Sequence, residues 1–200
     1  KEVHHRVKNN LQTVASILRM QSRRAENPEV QVQLNEAVNR VLAVAVIHEF
    51  LSRDDDQAIN IRDVCQRIVT QTQRAAVTPD KQIALRVQGP VIHLPSQQAT
   101  ACALVTNELL LNCLEHAFTG LDKGNVLLQL TDEGDQVVIE VIDDGVGLAE
   151  AAEGEISSSL GLIIVRTLVE GDLKGQFLME RADPGTRVVI RFRKEARGAG

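Results

Sequence analysis

The sequence predicts an α+β protein in two parts, a helical hairpin followed by an α/β two-layer sandwich. Three observations carry this expectation. Apolar residues at the N-terminus recur in alternating steps of four and three, a charged run RDDDQ at 53–57 ends that pattern, and the remainder alternates between helical and strand-like segments that finish in a hairpin.

Through residues 1–25, Val7, Leu11, Val14 and Leu18 mark one side of a helix, and Val30, Leu34, Ala37, Val41, Val44, His48 and Leu51 continue the same stepping over 30–51. Between them, AENPE supplies Asn27 as a cap, Pro28 at the first helical position and Glu29 against the positive helix end. The two helices therefore fold back antiparallel. Ile17, Met20, Val38, Leu42, Val46 and Ile47 widen the apolar stripe beyond what one hairpin covers. A second copy completing a four-helix bundle is the expectation, hence a homodimer; the alternative is that the following domain covers this face.

Beyond the charged break, residues 61–76 read as a helix, 83–88 as a strand, and 96–117 as a long helix begun by Pro95 and Ser96. Strands follow at 125–131 and 137–143 across the turn DEGD, then a helix from about 160 to 170. Strands 176–182 and 186–193 close the fold around ADPGT, and EARGAG reads as a loose tail. This is a mixed sheet covered by helices on one side. The domains are expected at 1–52 and 58–194, with a linker at 53–57 and a tail at 195–200.

Composition excludes several functions. A net charge of -5 without a basic stripe argues against direct nucleic-acid binding, and 2% aromatic residues, with neither Trp nor Tyr, leave no base-stacking platform. Cys65, Cys102 and Cys113 lack the spacing of a zinc or redox site and fall among apolar residues, so they read as buried reduced thiols. No apolar run has the length of a membrane helix and no secretory signal is visible, so the segment is expected to be cytoplasmic and free of membrane contact. It begins inside a helical pattern, as a piece of a longer chain would.

Four stretches carry chemistry. In KEVHHRVKNNLQ, extending the seam back from Val7 lands on His4, which turns His5 about 100° away toward solvent. Arg6, Lys8, Asn9 and Asn10 surround it with donors for phosphoryl oxygens, and Asn9 lies one turn beyond His5 on the same face. An exposed neutral imidazole is a competent nucleophile. On the 96–117 helix, Glu108, Asn112 and Glu115 form a polar line beside a broad apolar stripe. It is either a wet face or a set of hard oxygen ligands suited to Mg²⁺. In IDDGVGL, Asp143 ends a buried strand, an expensive place for a carboxylate unless it meets a donor such as a purine amino group, and Gly145 and Gly147 permit a sharp turn and close approach to a ligand, although such a run taken alone is more often a plain turn. SSSLGLIIV places Gly161 and Leu162 where free N–H groups suit phosphates, behind a lid-like AEAAEGEISS; Gly185 and Thr186 add a weaker signal.

Taken in order, these motifs resemble those of the ATP-binding domain shared by histidine kinases, gyrase, Hsp90 and MutL, the GHKL or Bergerat fold. NELLLNCLEHAF resembles its N-box, DDGVG its D-x-G-x-G box and SLGLIIV its shortened G-x-G box; HHRVKNNLQ with its hairpin resembles the dimerisation and phosphoacceptor domain of HisKA_2 sensor histidine kinases. The resemblance implies ATP and Mg²⁺ as cofactors, with Asn112 as metal ligand and Glu108 polarising the attacking imidazole. It also implies Asp143 as acceptor of the adenine amino group, His5 as phosphoacceptor, and Gly145, Gly147 and Gly161 as shapers of pocket and lid. His116 matches the histidine of a Lys-His pair common in the family. Glu115 stands where many relatives carry the lysine, so Lys123 is a candidate to supply the missing cation. Arg6 follows His5 where better-known kinases place an acid, which leaves the base unassigned.

These features predict a histidine kinase core that autophosphorylates on His5 and passes the phosphoryl group to the receiver domain of a response regulator. The alternative is an inactive phosphotransfer or scaffold protein, for which Glu115 is the support. A serine kinase or gyrase-like ATPase leaves the His5 cluster unexplained.

Overall fold

The computed structural model describes residues 2–31, 33–34, 37–38, 40–41, 44, 58–76, 81–147 and 160–195. The chain divides into two compact units, Lys1–Gln57 and Ala58–Gly200.

In the first unit a helix spans Glu2–Arg24. The Asn27 side chain accepts the Glu29 N–H at 2.9 Å, the predicted cap, and a second helix begins at Pro28. Gln31 fastens the turn by donating from Nε2 to the Ala25 carbonyl at 2.7 Å. Along the first helix, Leu11 and Leu18 are half-buried while Ala15 and Ser22 are buried, so the inward row runs through 11, 15, 18 and 22. Val14 corrects the expected seam: it is 43% exposed, and Ile17, Met20 and Val30 are exposed with it. Small Ala15 and Ser22 take the inward positions, Ser22 donating to the Gln31 carbonyl at 3.3 Å, and Val14 lies on the flank. On the second helix Val38 is buried and Leu34, Ala37, Val41 and Val44 are half-buried. The seam positions His48 and Leu51, the flanking Leu42, Val46 and Ile47, and the 53–57 linker lie outside the described residues.

Among the described residues the second unit contains seven strands. They are β1 (Ile59–Asn60), β2 (Gln82–Gln88), β3 (His93–Leu94), β4 (Lys123–Asp132), β5 (Gln136–Asp143), β6 (Gln176–Arg181) and β7 (Thr186–Arg193). A two-stranded ladder of β1 and β3, too short to leave a pattern in the sequence, accompanies a five-stranded sheet of order β2-β4-β5-β7-β6. Only the β2–β4 pair of that sheet is parallel. Alternation sets its faces: Val126, Leu128 and Leu130 of β4, Val137, Ile139 and Val141 of β5, and Val188, Ile190 and Phe192 of β7 are buried against the helices. The same period carries Asp143 and Thr186 inward, opposite each other in register. On the other face Arg187 bridges three strands, its Nε 2.8 Å from Glu140 and its guanidinium 2.6 Å from Glu180.

The Ile61–Ala76 helix buries Ile61, Val64, Cys65, Ile68, Val69 and Thr72, one stripe of helical period. Its Gln73 closes the edge of β2, donating to the Ile83 carbonyl at 2.7 Å and accepting the Leu85 N–H at 2.9 Å. The Ser96–Asn112 helix is packed between this helix and the Leu160–Thr167 helix and lies over β5, which explains its apolar breadth. Instead of running unbroken to 117, it widens after Asn112 into a π turn, Cys113–Ala117. The 160–170 segment likewise ends in a π turn, Leu168–Asp172.

Candidate nucleotide site

The π turn sets the course of the chain after Asn112. A continuous α-helix would keep Glu108, Asn112 and Glu115 on one line, but the wider turn rotates Glu115 off it. Glu108 is buried, Asn112 half-buried, and Glu115 and His116 exposed, so the line is not a uniform wet face. The π turn also delivers the Ala117 carbonyl to the Val146 N–H at 2.8 Å. That bond ties the helix end to the glycine bend after β5. A second tie comes from Asp144, whose carboxylate accepts the backbone N–H of Asn125 at 2.6 Å and its side-chain amide at 2.7 Å.

At the junction sits Asp143, 4% exposed. Its Oδ1 accepts the Gly145 N–H at 3.0 Å and the Thr186 N–H at 3.2 Å. Its Oδ2 has one partner among the described residues, the Cys113 thiol, with Sγ at 3.8 Å. One oxygen is thus locked by two backbone donors while the other meets a weak one. One residue before Cys113, the buried Nδ2 of Asn112 has no hydrogen-bond partner among the described residues. An orphaned amide costs about 1–3 kcal/mol, which a ligand with polar oxygens would recover. Turning that amide over places its oxygen in the same spot, as a cation requires.

Two glycines make the cradle possible. A Cβ on Gly145 would lie 2.1 Å from the Ala117 carbonyl oxygen, and one on Gly185, whose φ is +95°, would lie 1.9 Å from the Asp143 carbonyl oxygen. Gly185→Ala is therefore expected to destabilise the protein by about 2–4 kcal/mol, read as a lower urea midpoint, because the β6–β7 turn must withdraw from Asp143.

Burial pushes the Asp143 carboxyl above its ordinary value of 3.8, against the lowering effect of its two backbone donors and the Cys113 thiol; the neighbouring Asp144 charge adds to the rise. The folded state then binds this proton more tightly than the unfolded chain. Its stabilising contribution is complete below 3.8 and is lost as pH rises through the elevated value. Unfolding of wild type and Asp143→Asn, compared from pH 3 to 8, is expected to show wild type losing ground steadily to the variant over that window. A constant difference would show that the carboxyl does not titrate in this way.

The structure joins Asp143, Gly145 and Thr186 by hydrogen bonds, and Asn112 immediately precedes Cys113, whose thiol meets Asp143. Gly161 and Leu162 are buried at the start of the helix that packs on the Ser96–Asn112 helix. Gly147 follows Gly145 in the same bend with φ +74°. Lys123 stands exposed at the first position of β4. The lid and the Ser run before Leu160 lie outside the described residues. His5 and Asn9 belong to the first unit; Asn9, Gln12 and Ser16, which continue the helical row of His5, are all exposed, whereas the row of His4 continues through the inward Leu11, Ala15 and Leu18. Sequence reasoning missed Cys113 as a site group, treating it as core like Cys65 and Cys102; only its place after Asn112 hinted otherwise. All three cysteines are free. Among the described residues no cluster of His, Cys, Asp or Glu could hold a metal by itself, and no helix is long and apolar enough to cross a membrane.

A helix-covered mixed sheet with a buried carboxylate at a strand end and a glycine bend tied to a polar helix end is the GHKL two-layer sandwich of nucleotide-binding domains. Residues 2–76 match the HisKA_2 family, described as histidine kinase, and residues 51–192 match the histidine kinase-like ATPase domain; the chain belongs to the histidine kinase family. It is 41% identical over 200 residues to the sensor histidine kinase PdtaS of Mycobacterium tuberculosis, an alignment covering 99% of this chain and 40% of that protein. It is 30% identical over 197 residues to blue-light-activated histidine kinase 2 of Erythrobacter litoralis, covering 94% of this chain and 55% of the relative. The chain thus spans about 40% of the length of the first of these curated relatives. Among solved structures, the histidine kinase domain of the Erythrobacter litoralis EL346 blue-light activated histidine kinase superposes with a TM-score of 0.69 at 27% identity, covering 98% of this chain and 91% of that one.

Proposed function

We propose that this chain is the ATP-dependent catalytic core of a two-component sensor histidine kinase. In this reading residues 1–52 form the dimerisation and phosphoacceptor hairpin, 53–57 a linker, 58–194 the ATP-binding domain and 195–200 a tail. The observation that carries the reading is Asp143, a buried carboxylate pinned through one oxygen with the other lacking a strong donor. Family membership supports ATP as the nucleotide. A purine 6-amino group is the donor that fits Oδ2.

Asn112, with its orphaned amide, is the residue to hold Mg²⁺, whose charge when bound offsets that of the phosphates. His116 and Lys123 are the donors available for phosphate oxygens, Gly147, Gly161 and Leu162 shape the pocket, and Thr186 holds Asp143 through its N–H. Exposed Glu115 weakens the local attraction for the triphosphate. Transfer forms a bond between phosphorus and an imidazole nitrogen of His5 as the bond to the bridging oxygen breaks, and ADP departs. Asn9 steadies the incoming phosphoryl group and Glu108 polarises the imidazole. The phosphoryl group then passes to an aspartate of a response-regulator receiver. The exposed Val14, Ile17, Met20 and Val30 are the surface on which a second hairpin would build the homodimer.

Incubation with γ-labelled ATP and Mg²⁺ tests the reading. Acid-labile, alkali-stable label is the expected result, together with Mg²⁺-dependent ATP binding by calorimetry. Absence of nucleotide binding would favour the scaffold alternative, and acid-stable label would indicate a hydroxyl acceptor instead.

A further inference from the structure

Cys113 is the group in the site that the motifs do not account for. Its thiol is the sole partner, among the described residues, of the Asp143 oxygen left over by the backbone. Facing a carboxylate oxygen, which only accepts, the thiol serves as an S–H donor. Sulfur donates weakly and at long range, 3.8 Å here. Asn112, the preceding residue, has its amide nitrogen buried without a partner, which independently marks this helix end as the wall of a ligand site.

We infer that Cys113 is a positioning residue for base selection: its thiol holds Oδ2 of Asp143 until nucleotide binds, weakly enough to yield to the exocyclic amino group of an incoming 6-aminopurine. A stronger donor there would compete with the base, and no donor would leave the oxygen unsatisfied and waiting for it. The inference rests on the reading of Asp143 as the base-recognition group. It makes the strength of one intramolecular hydrogen bond a determinant of nucleotide discrimination.

The test compares ATP with purine riboside triphosphate, which lacks the 6-amino group, as ligands of the whole chain by calorimetry. Cys113→Ser is expected to weaken ATP roughly threefold to tenfold while changing the purine riboside nucleotide little, so that discrimination falls. Cys113→Ala is expected to keep or increase discrimination. A packing role alone would move both nucleotides equally in both variants, and an unchanged ratio in the two would overturn the inference. If wild type itself fails to distinguish the nucleotides, the base-recognition reading of Asp143 fails, and the role of Cys113 falls with it. Thermal unfolding of each variant without nucleotide identifies a folding defect, and Cys113→Val, which keeps the bulk without the donor, then stands in for Cys113→Ala.

Discussion

His5→Gln carries no acid-labile phosphoryl label, falling from wild-type incorporation to background, while ATP binding stays within about twofold. The helix geometry behind this expectation is specific. His5 heads the row that continues through exposed Asn9, Gln12 and Ser16, and His4 heads the row that continues through inward Leu11, Ala15 and Leu18. A nucleophile must be reached by the γ-phosphoryl group in line, so the adjacent His4→Gln is expected to keep most of its label. Both variants are needed, because loss of label in either alone could reflect damage to the hairpin. Label that survives in His5→Gln, or vanishes only in His4→Gln, would put the phosphoacceptor in the wrong row. Because the match to the ATPase domain falls almost wholly in the other unit, calorimetry is expected to separate lost transfer from lost nucleotide.

Asp143→Asn is expected to lose ATP affinity by roughly 100-fold or more, measured by calorimetry. The substitution changes little in shape. Its amide oxygen can still accept the Gly145 and Thr186 N–H groups that now hold Oδ1, which leaves an N–H₂ where Oδ2 was. Two donors then face each other across the base edge. A 6-oxo purine presents an acceptor there, so ITP is expected to lose far less than ATP or to overtake it. The same replacement removes a buried charge whose titration is displaced upward, so the nucleotide-free variant is expected to unfold at a temperature no lower than wild type near neutral pH. Weaker nucleotide binding without a weaker fold distinguishes a recognition residue from a structural one. Equal losses for ATP and ITP would remove Asp143 from base recognition.

Much of the fold could be read along the chain because the helix and strand periods are local. The Ile61–Ala76 helix and strand β7 run where the apolar spacing placed them, and β2, β4, β5 and β6 shift at their ends by no more than a pair of residues. Asn27 caps the second hairpin helix because an Asx side chain before Pro needs only its immediate neighbours to do so. The ladder of β1 and β3 escaped notice because two residues carry no period. The four-and-three spacing puts Val14 in the seam, yet spacing does not register that Ala15 and Ser22 take the buried positions instead.

The candidate site divides in the same way. Asp143 was visible because inward alternation through Val137, Ile139 and Val141 arrives at a carboxylate, and an acid at a buried position needs an explanation. Its hydrogen bonds were not visible. Gly145 lies two residues away, but Thr186 and Cys113 come from segments distant in the chain, and the Ala117 carbonyl that receives Val146 belongs to a π turn that no residue pattern announced.

The order of amino acids alone thus marks most of the segments that coil or extend, the inward side of the sheet strands, and an acid and two glycines at the end of a core strand. Folding in three dimensions decided which oxygen of Asp143 is occupied, which thiol faces it, and where the polar helix end stops being α-helical. The division comes from range: periodicity and capping are set by neighbours a turn or less away, whereas a hydrogen bond between segments depends on register, packing and helix ending settled together.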